Sequence, residues 1–72
     1  MSKRHDRQEQ IYQFICDYYE ENGFSPTVRE ISRGVGLKGI SSVCGHLDSL
    51  EADGRITMKH GMARTIVPIK AM

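Results

Sequence analysis

Between Arg7 and Asn22 the apolar residues Ile11, Phe14, Ile15, Tyr18 and Tyr19 recur at intervals of three and four, which predicts one helix over about 7–22 with a single inward stripe. Gly23 supplies the left-handed conformation that commonly closes a helix. Phe24-Ser25-Pro26 reads as an extended link, because proline pushes the residue before it out of the helical region. Thr27-Val28-Arg29-Glu30 then has the spacing of a capping box, so a short second helix is expected over about 28–35, with Val28, Ile31 and Val35 facing inward. The glycine-rich stretch from Gly34 to Gly39 reads as a sharp turn. After it, Ile40, Val43, Leu47 and Leu50 form another helical stripe, predicting a third helix over about 40–53 that stops at Gly54. Beyond Gly54 the period changes to that of strands. Residues 55–59 alternate, residues 64–69 are β-rich, and His60-Gly61-Met62-Ala63 lies between them as a hairpin loop. Pro68 cannot donate to a ladder, so it confines its strand to an edge or ends the pairing. The expected architecture is mainly α with a small β-hairpin: three helices and a two-stranded antiparallel wing, one domain over residues 1–72.

The third helix carries an unusual outward face. With Val43, Leu47 and Leu50 turned inward, Ser41, Gly45 and Asp48 point close to the opposite way, flanked by Ser42 and Cys44. An ordinary solvated helix fills such positions with Glu, Lys, Gln and Arg. Gly45 alone costs about 1 kcal/mol relative to alanine inside a helix. Three explanations fit. The small face packs against another element of the fold, it is the product of plain drift, or it approaches a large rigid surface outside the fold. A DNA major groove, about 12 Å wide, admits a helix in this way. A short helix, a sharp turn and a second amphipathic helix also make the layout of helix-turn-helix modules, whose second helix reads bases from its N-terminal end. Lys59, His60 and Arg64 around the hairpin loop would suit a phosphate backbone beside that groove.

Charge and composition sharpen this picture mainly by exclusion. Over 72 residues the net charge is only +1, but residues 11–22 and 39–54 each carry −3 whereas residues 55–72 carry +4 and no acid. A chain this short buries only roughly 60% of its unfolded surface, which leaves little room for a deep catalytic cavity. Cys44, His46 and Asp48 resemble a catalytic set in one dimension only, since each step of two turns the helix by about 200°. The three histidines fall in different elements, and no Cys-x-x-Cys or His-x-x-x-His spacing points to a metal. No glycine-rich phosphate loop is present either. Neither an enzyme nor a cofactor is expected. No run approaches the roughly 18 apolar residues of a membrane span, no signal-peptide pattern follows the basic start, and two isolated cysteines do not make a disulfide framework. A reducing, cytoplasmic setting is the expectation.

The residues also resemble a known family. Arg7-Gln8, the block Gly23-Phe24-Ser25-Pro26-Thr27-Val28-Arg29-Glu30-Ile31, then Val35-Gly36-Leu37, Ser42-Val43-Cys44-Gly45-His46-Leu47, Leu50-Glu51, Gly54, Ile56 and Arg64-Thr65-Ile66 are similar to the N-terminal DNA-binding domain of LexA, the SOS-response repressor, over nearly the whole chain. The Val-x-Gly-His-Leu form looks most like members from Gram-positive bacteria. The resemblance implies a winged helix-turn-helix that binds a palindromic operator in double-stranded DNA and represses transcription. By position it makes Ser41, Ser42, Cys44 and Gly45 base readers. It sets Thr27, Val28, Arg29 and Lys38 near phosphates, gives the wing to Lys59 and Arg64, and lets Arg7 assist at the backbone. Three residues depart from the family pattern: Asp53 where relatives often carry lysine, Arg55 where an aliphatic residue is usual, and Cys44 where a base-reading residue commonly stands. The self-cleaving serine-lysine peptidase domain of LexA proteins, which also dimerises them, has no counterpart in these 72 residues. An excised domain and a stand-alone small repressor are both compatible with that.

In isolation such a chain should be a monomer, two copies pairing on adjacent half-sites. A second reading belongs to another class: a winged-helix interaction module that modulates a larger repressor without gripping DNA. Its mark would be an exposed apolar patch, with Met58, Met62, Ile69 and Met72 as candidates.

Overall fold

The computed structural model describes the backbone of residues 3–69 and the side chains of residues 6–69. Three helices, α1 (Lys3–Asn22), α2 (Val28–Val35) and α3 (Ile40–Ala52), precede two antiparallel strands, β1 (Ile56–Thr57) and β2 (Val67–Pro68). Ile11 and Ile15 of α1, Ile31 of α2, Val43, Leu47 and Leu50 of α3, and Ile56 and Ile66 of the hairpin converge in one buried core. Four of the five elements thus contribute to it directly. Burying one such side chain stabilises by about 1.5–3 kcal/mol, so the stripes that predict the helices also supply most of what holds them together.

Two apolar positions leave the pattern. Tyr19 is 38% exposed and Ile40 is 49% exposed. Ile40 is the first residue of α3, and its side chain runs past the end of the core instead of into it. Helix α1 also starts at Lys3, four residues before the expected 7, because its first turn is polar and carries no stripe to reveal it.

The ends of α2 follow the sequence closely. The Thr27 hydroxyl accepts from the Glu30 amide at 3.2 Å while the Glu30 carboxylate accepts from the Thr27 amide at 2.8 Å, completing the capping box. Gly36, at φ +74°, closes α2 in the left-handed conformation. The turn into α3 is held by Ser32, which is buried: its hydroxyl donates to the Leu37 carbonyl at 2.7 Å while the Leu37 amide donates to the Ser32 carbonyl at 3.0 Å. Gly34 serves a different end. A Cβ there would lie 2.0 Å from the Phe14 ring, so glycine is what lets α2 lie against α1.

The wing is shorter than the expected strands of 55–59 and 64–69. Only Ile56 with Pro68 and Thr57 with Val67 are paired. The Ile69 amide donates to the Arg55 carbonyl at 2.7 Å, which makes the intervening Ile56–Pro68 pair a non-hydrogen-bonded one. Pro68 therefore sits where its missing N–H removes no ladder bond. Arg64 ends the extended run with φ +59°. At the neck of the loop the Thr65 hydroxyl replaces a ladder, accepting from the Lys59 amide at 2.9 Å and lying 3.1 Å from the Lys59 and Met62 carbonyls.

Candidate nucleic-acid interface

Helix α3 follows a four-residue turn and packs its Val43–Leu47–Leu50 stripe on the core, which fixes what the opposite side presents. Ser41, Ser42, Cys44 and Gly45 are all exposed. A Cβ built on Gly45 meets nothing within 4 Å. The first explanation for the small face, packing against another element, is thereby removed: nothing in the fold requires a glycine at that position. Gly39 caps α3 without a side-chain hydrogen bond, so the first amides of the helix have no such partner and point outward at its positive end.

Between this helix, the start of α2 and the wing runs a groove of about 510 Å³. Thr27, Val28 and Arg29 line it from α2, Ile40 and Cys44 from α3, and the His60–Arg64 loop closes the far side. Residues from three separate stretches of sequence are thus gathered on one concave face. Lys38 stands exposed in the turn beside it and Lys59 exposed at the base of the wing.

The cations divide into two groups. Arg29, Arg33, Lys38 and Lys59 are exposed, and no ion pair joins any of them among the described residues. Arg7, Arg55 and Arg64 are committed within the fold. Arg7 donates to the Val35 carbonyl at 2.8 Å, at the C-terminal end of α2. Arg55 forms a forked pair with Glu9 and lies 4.1 Å over the Tyr12 ring. Arg64 donates to the Ser25 carbonyl at 3.0 Å and to both Glu30 oxygens at 3.2 and 3.3 Å, and lies 5.0 Å from the centre of the Phe24 ring. The wing is therefore fastened to the start of α2 by Arg64. The Thr27 amide, followed by Arg64 and the Tyr18 hydroxyl at 3.1 Å, holds the Glu30 carboxyl below its usual range.

Sequence spacing gave no sign of Ile40 in the groove, of Arg64 as a tie between wing and α2, or of Ser32 as the lock of the turn. Each depends on a partner that only the fold supplies. The same is true of one polar cluster. Asp48 and Glu51 of α3 meet His60 of the wing, with donor atoms within 4.8 Å of one another. Of the apolar patch expected for an interaction module, Met58 and Met62 lie in the groove with Ile40. Ile69 lies outside that groove and is 43% exposed, its carbonyl accepting from the Tyr12 hydroxyl at 3.1 Å. Met72 lies outside the described residues.

Three helices, a sharp turn, an outward-facing second helix of the pair and a basic hairpin beside it define a winged helix-turn-helix DNA-binding domain. A family model described as the LexA DNA binding domain matches residues 1–65, and the chain belongs to that family. It is 48% identical over 65 residues to a LexA repressor from Clostridium novyi, covering 90% of this chain and 32% of that protein. Against the LexA repressor of Geotalea uraniireducens the identity is 40% over 72 residues, all of this chain and 36% of the relative. Against one from an Exiguobacterium species it is 46% over 66 residues, 92% and 32%. The chain spans about a third of the length of the curated relatives it matches. Among the described residues no helix is long and apolar enough to cross a membrane.

Proposed function

We propose that this chain recognises a palindromic operator as a transcriptional repressor of the SOS type, acting in the bacterial cytoplasm at the nucleoid. Helix α3 lies in the major groove, and Ser41, Ser42, Cys44 and the Gly45 backbone face the base edges. Arg29, Lys38 and Lys59, with the amides at the start of α2 and α3, meet phosphates and set the register. Arg64 keeps the wing at the correct angle instead of reaching for a phosphate, and Arg7 fixes the end of α2. The observation that carries this reading is Gly45, a helical glycine with open space in front of it. Its cost to the helix would be offset by a surface outside the fold that comes close.

One copy grips one half-site weakly, and two copies pair on adjacent half-sites. The role is regulatory, not enzymatic. Gel-shift titration at fixed salt, against duplexes selected from a random pool and against a scrambled duplex, tests the reading. The selected duplex should bind far more tightly and show two half-sites, whereas equal affinity for both rejects sequence-specific recognition. Replacing Ser41 and Ser42 together by alanine should lower discrimination between the two duplexes, whereas Lys59→Ala should weaken both about equally. The reverse pattern would move specificity into the wing.

A further inference from the structure

The geometry points to a metal site: Asp48, Glu51 and His60 form a three-ligand site for a divalent cation of the zinc type, and the cation pins the wing to the C-terminal half of α3. Asp48 and Glu51 are one helical turn apart, and His60 reaches them from the other side of the Gly54 turn. All three donor atoms lie within 4.8 Å of one another. The His60 Nε2 and a Glu51 oxygen already stand 3.1 Å apart. Zinc holds nitrogen and oxygen ligands at about 2.0–2.2 Å, which places neighbouring ligands of a tetrahedral site roughly 3.4 Å apart. Closing the remaining gap takes a movement on the order of 1 Å, within reach of exposed side chains.

The donor set selects the class of ion. An imidazole favours zinc, copper, iron or nickel over the oxygen-seeking magnesium and calcium, and two carboxylates complement the dication's charge. Asp48 has no side-chain partner among the described residues, and Glu51 has only His60. Water completes the coordination, because His60 and Asp48 are open to solvent. A hydrogen bond between an exposed histidine and glutamate contributes little by itself. A shared cation would instead fasten the wing at a second point, opposite the tie made by Arg64. Asp48 lies on the outward face with Gly45, so the cation would also remove negative charge from the side of α3 turned to DNA. That last consequence rests on the proposed function; the metal site does not.

Titration of the full chain with zinc chloride, without DNA, followed by calorimetry and by two-dimensional amide NMR, tests the site. One equivalent should bind, with shifts confined to the His60 ring and to amides around residues 48–51 and 59–62. His60→Ala and Glu51→Gln should each weaken binding at least tenfold while leaving the metal-free spectrum that of a folded chain. Cobalt in place of zinc should show no sulfur-to-metal absorption band. Absence of saturable binding, binding undiminished in both variants, or a sulfur band assigning the metal to Cys44 would each overturn the site.

Discussion

Gly45 and Gly34 are both helical glycines, and the fold treats them oppositely. A methyl group at position 45 meets nothing, whereas one at position 34 falls on the Phe14 ring. Gly45→Ala should therefore stabilise the free chain by about 0.5–1 kcal/mol, the ordinary gain in helix propensity. Gly34→Ala should destabilise it by about 1 kcal/mol, overpacking having outweighed that gain. Denaturant titration of the two variants checks the pair, and equal shifts would show that the α1–α2 contact is not close. Glu30 offers a test by pH. Its carboxyl is held below the ordinary value of 4.5 by the Thr27 amide first, and then by Arg64 and Tyr18. The folded chain thus releases that proton more readily than the unfolded one. The stabilisation is complete above the ordinary carboxylate range and is lost as pH falls through the depressed value. Glu30→Gln should be less stable than the parent at neutral pH, and the gap should narrow below about pH 4.5 in thermal melts. A gap that stays constant would mean that the charge is not its source.

At the level of elements, the helices were legible because each declares itself locally. The stripe Val43–Leu47–Leu50 gives α3 its direction, Thr27 with Glu30 starts α2, and Gly36 ends it. What could not be read depends on contacts across the chain. Strand lengths failed because Arg64 adopts a left-handed backbone and the Thr65 hydroxyl substitutes for a ladder, and neither is a matter of β propensity. The wing charges were legible as charges but not as roles: Arg64 and Lys59 look alike in sequence, yet Glu30, 34 residues before Arg64, engages only one of them. The small face of α3 was legible as an anomaly, and the exposure of its four residues removes internal packing from the explanations the sequence left standing. Ser32 is the clearest miss, since an inward serine in a two-turn helix has no pattern to mark it. Ser32→Ala should cost about 1 kcal/mol and speed amide exchange at Leu37, because the turn between α2 and α3 loses a hydrogen bond. Unchanged exchange would show that the turn holds without it.

For the molecule as a whole, the arrangement amounts to a rigid frame that presents one helix. Arg64 and Lys59 test that division of labour. Arg64→Ala should loosen the hairpin, seen as faster amide exchange in residues 56–67, and lower affinity for any duplex through the misplaced wing. Lys59→Ala should leave the fold alone and reduce by about one the slope of log affinity against log salt. Equal structural effects would put both cations in the frame. The central claim is that the outward face of α3 rests against paired bases, and Gly45→Ala addresses it with one added methyl group. Its affinities for selected and scrambled duplexes at one salt concentration are the measurement. Gly45→Ala should be more stable than the parent and should lose at least about tenfold of its discrimination, equivalent to about 1.4 kcal/mol. Undiminished discrimination in that more stable variant would contradict the claim.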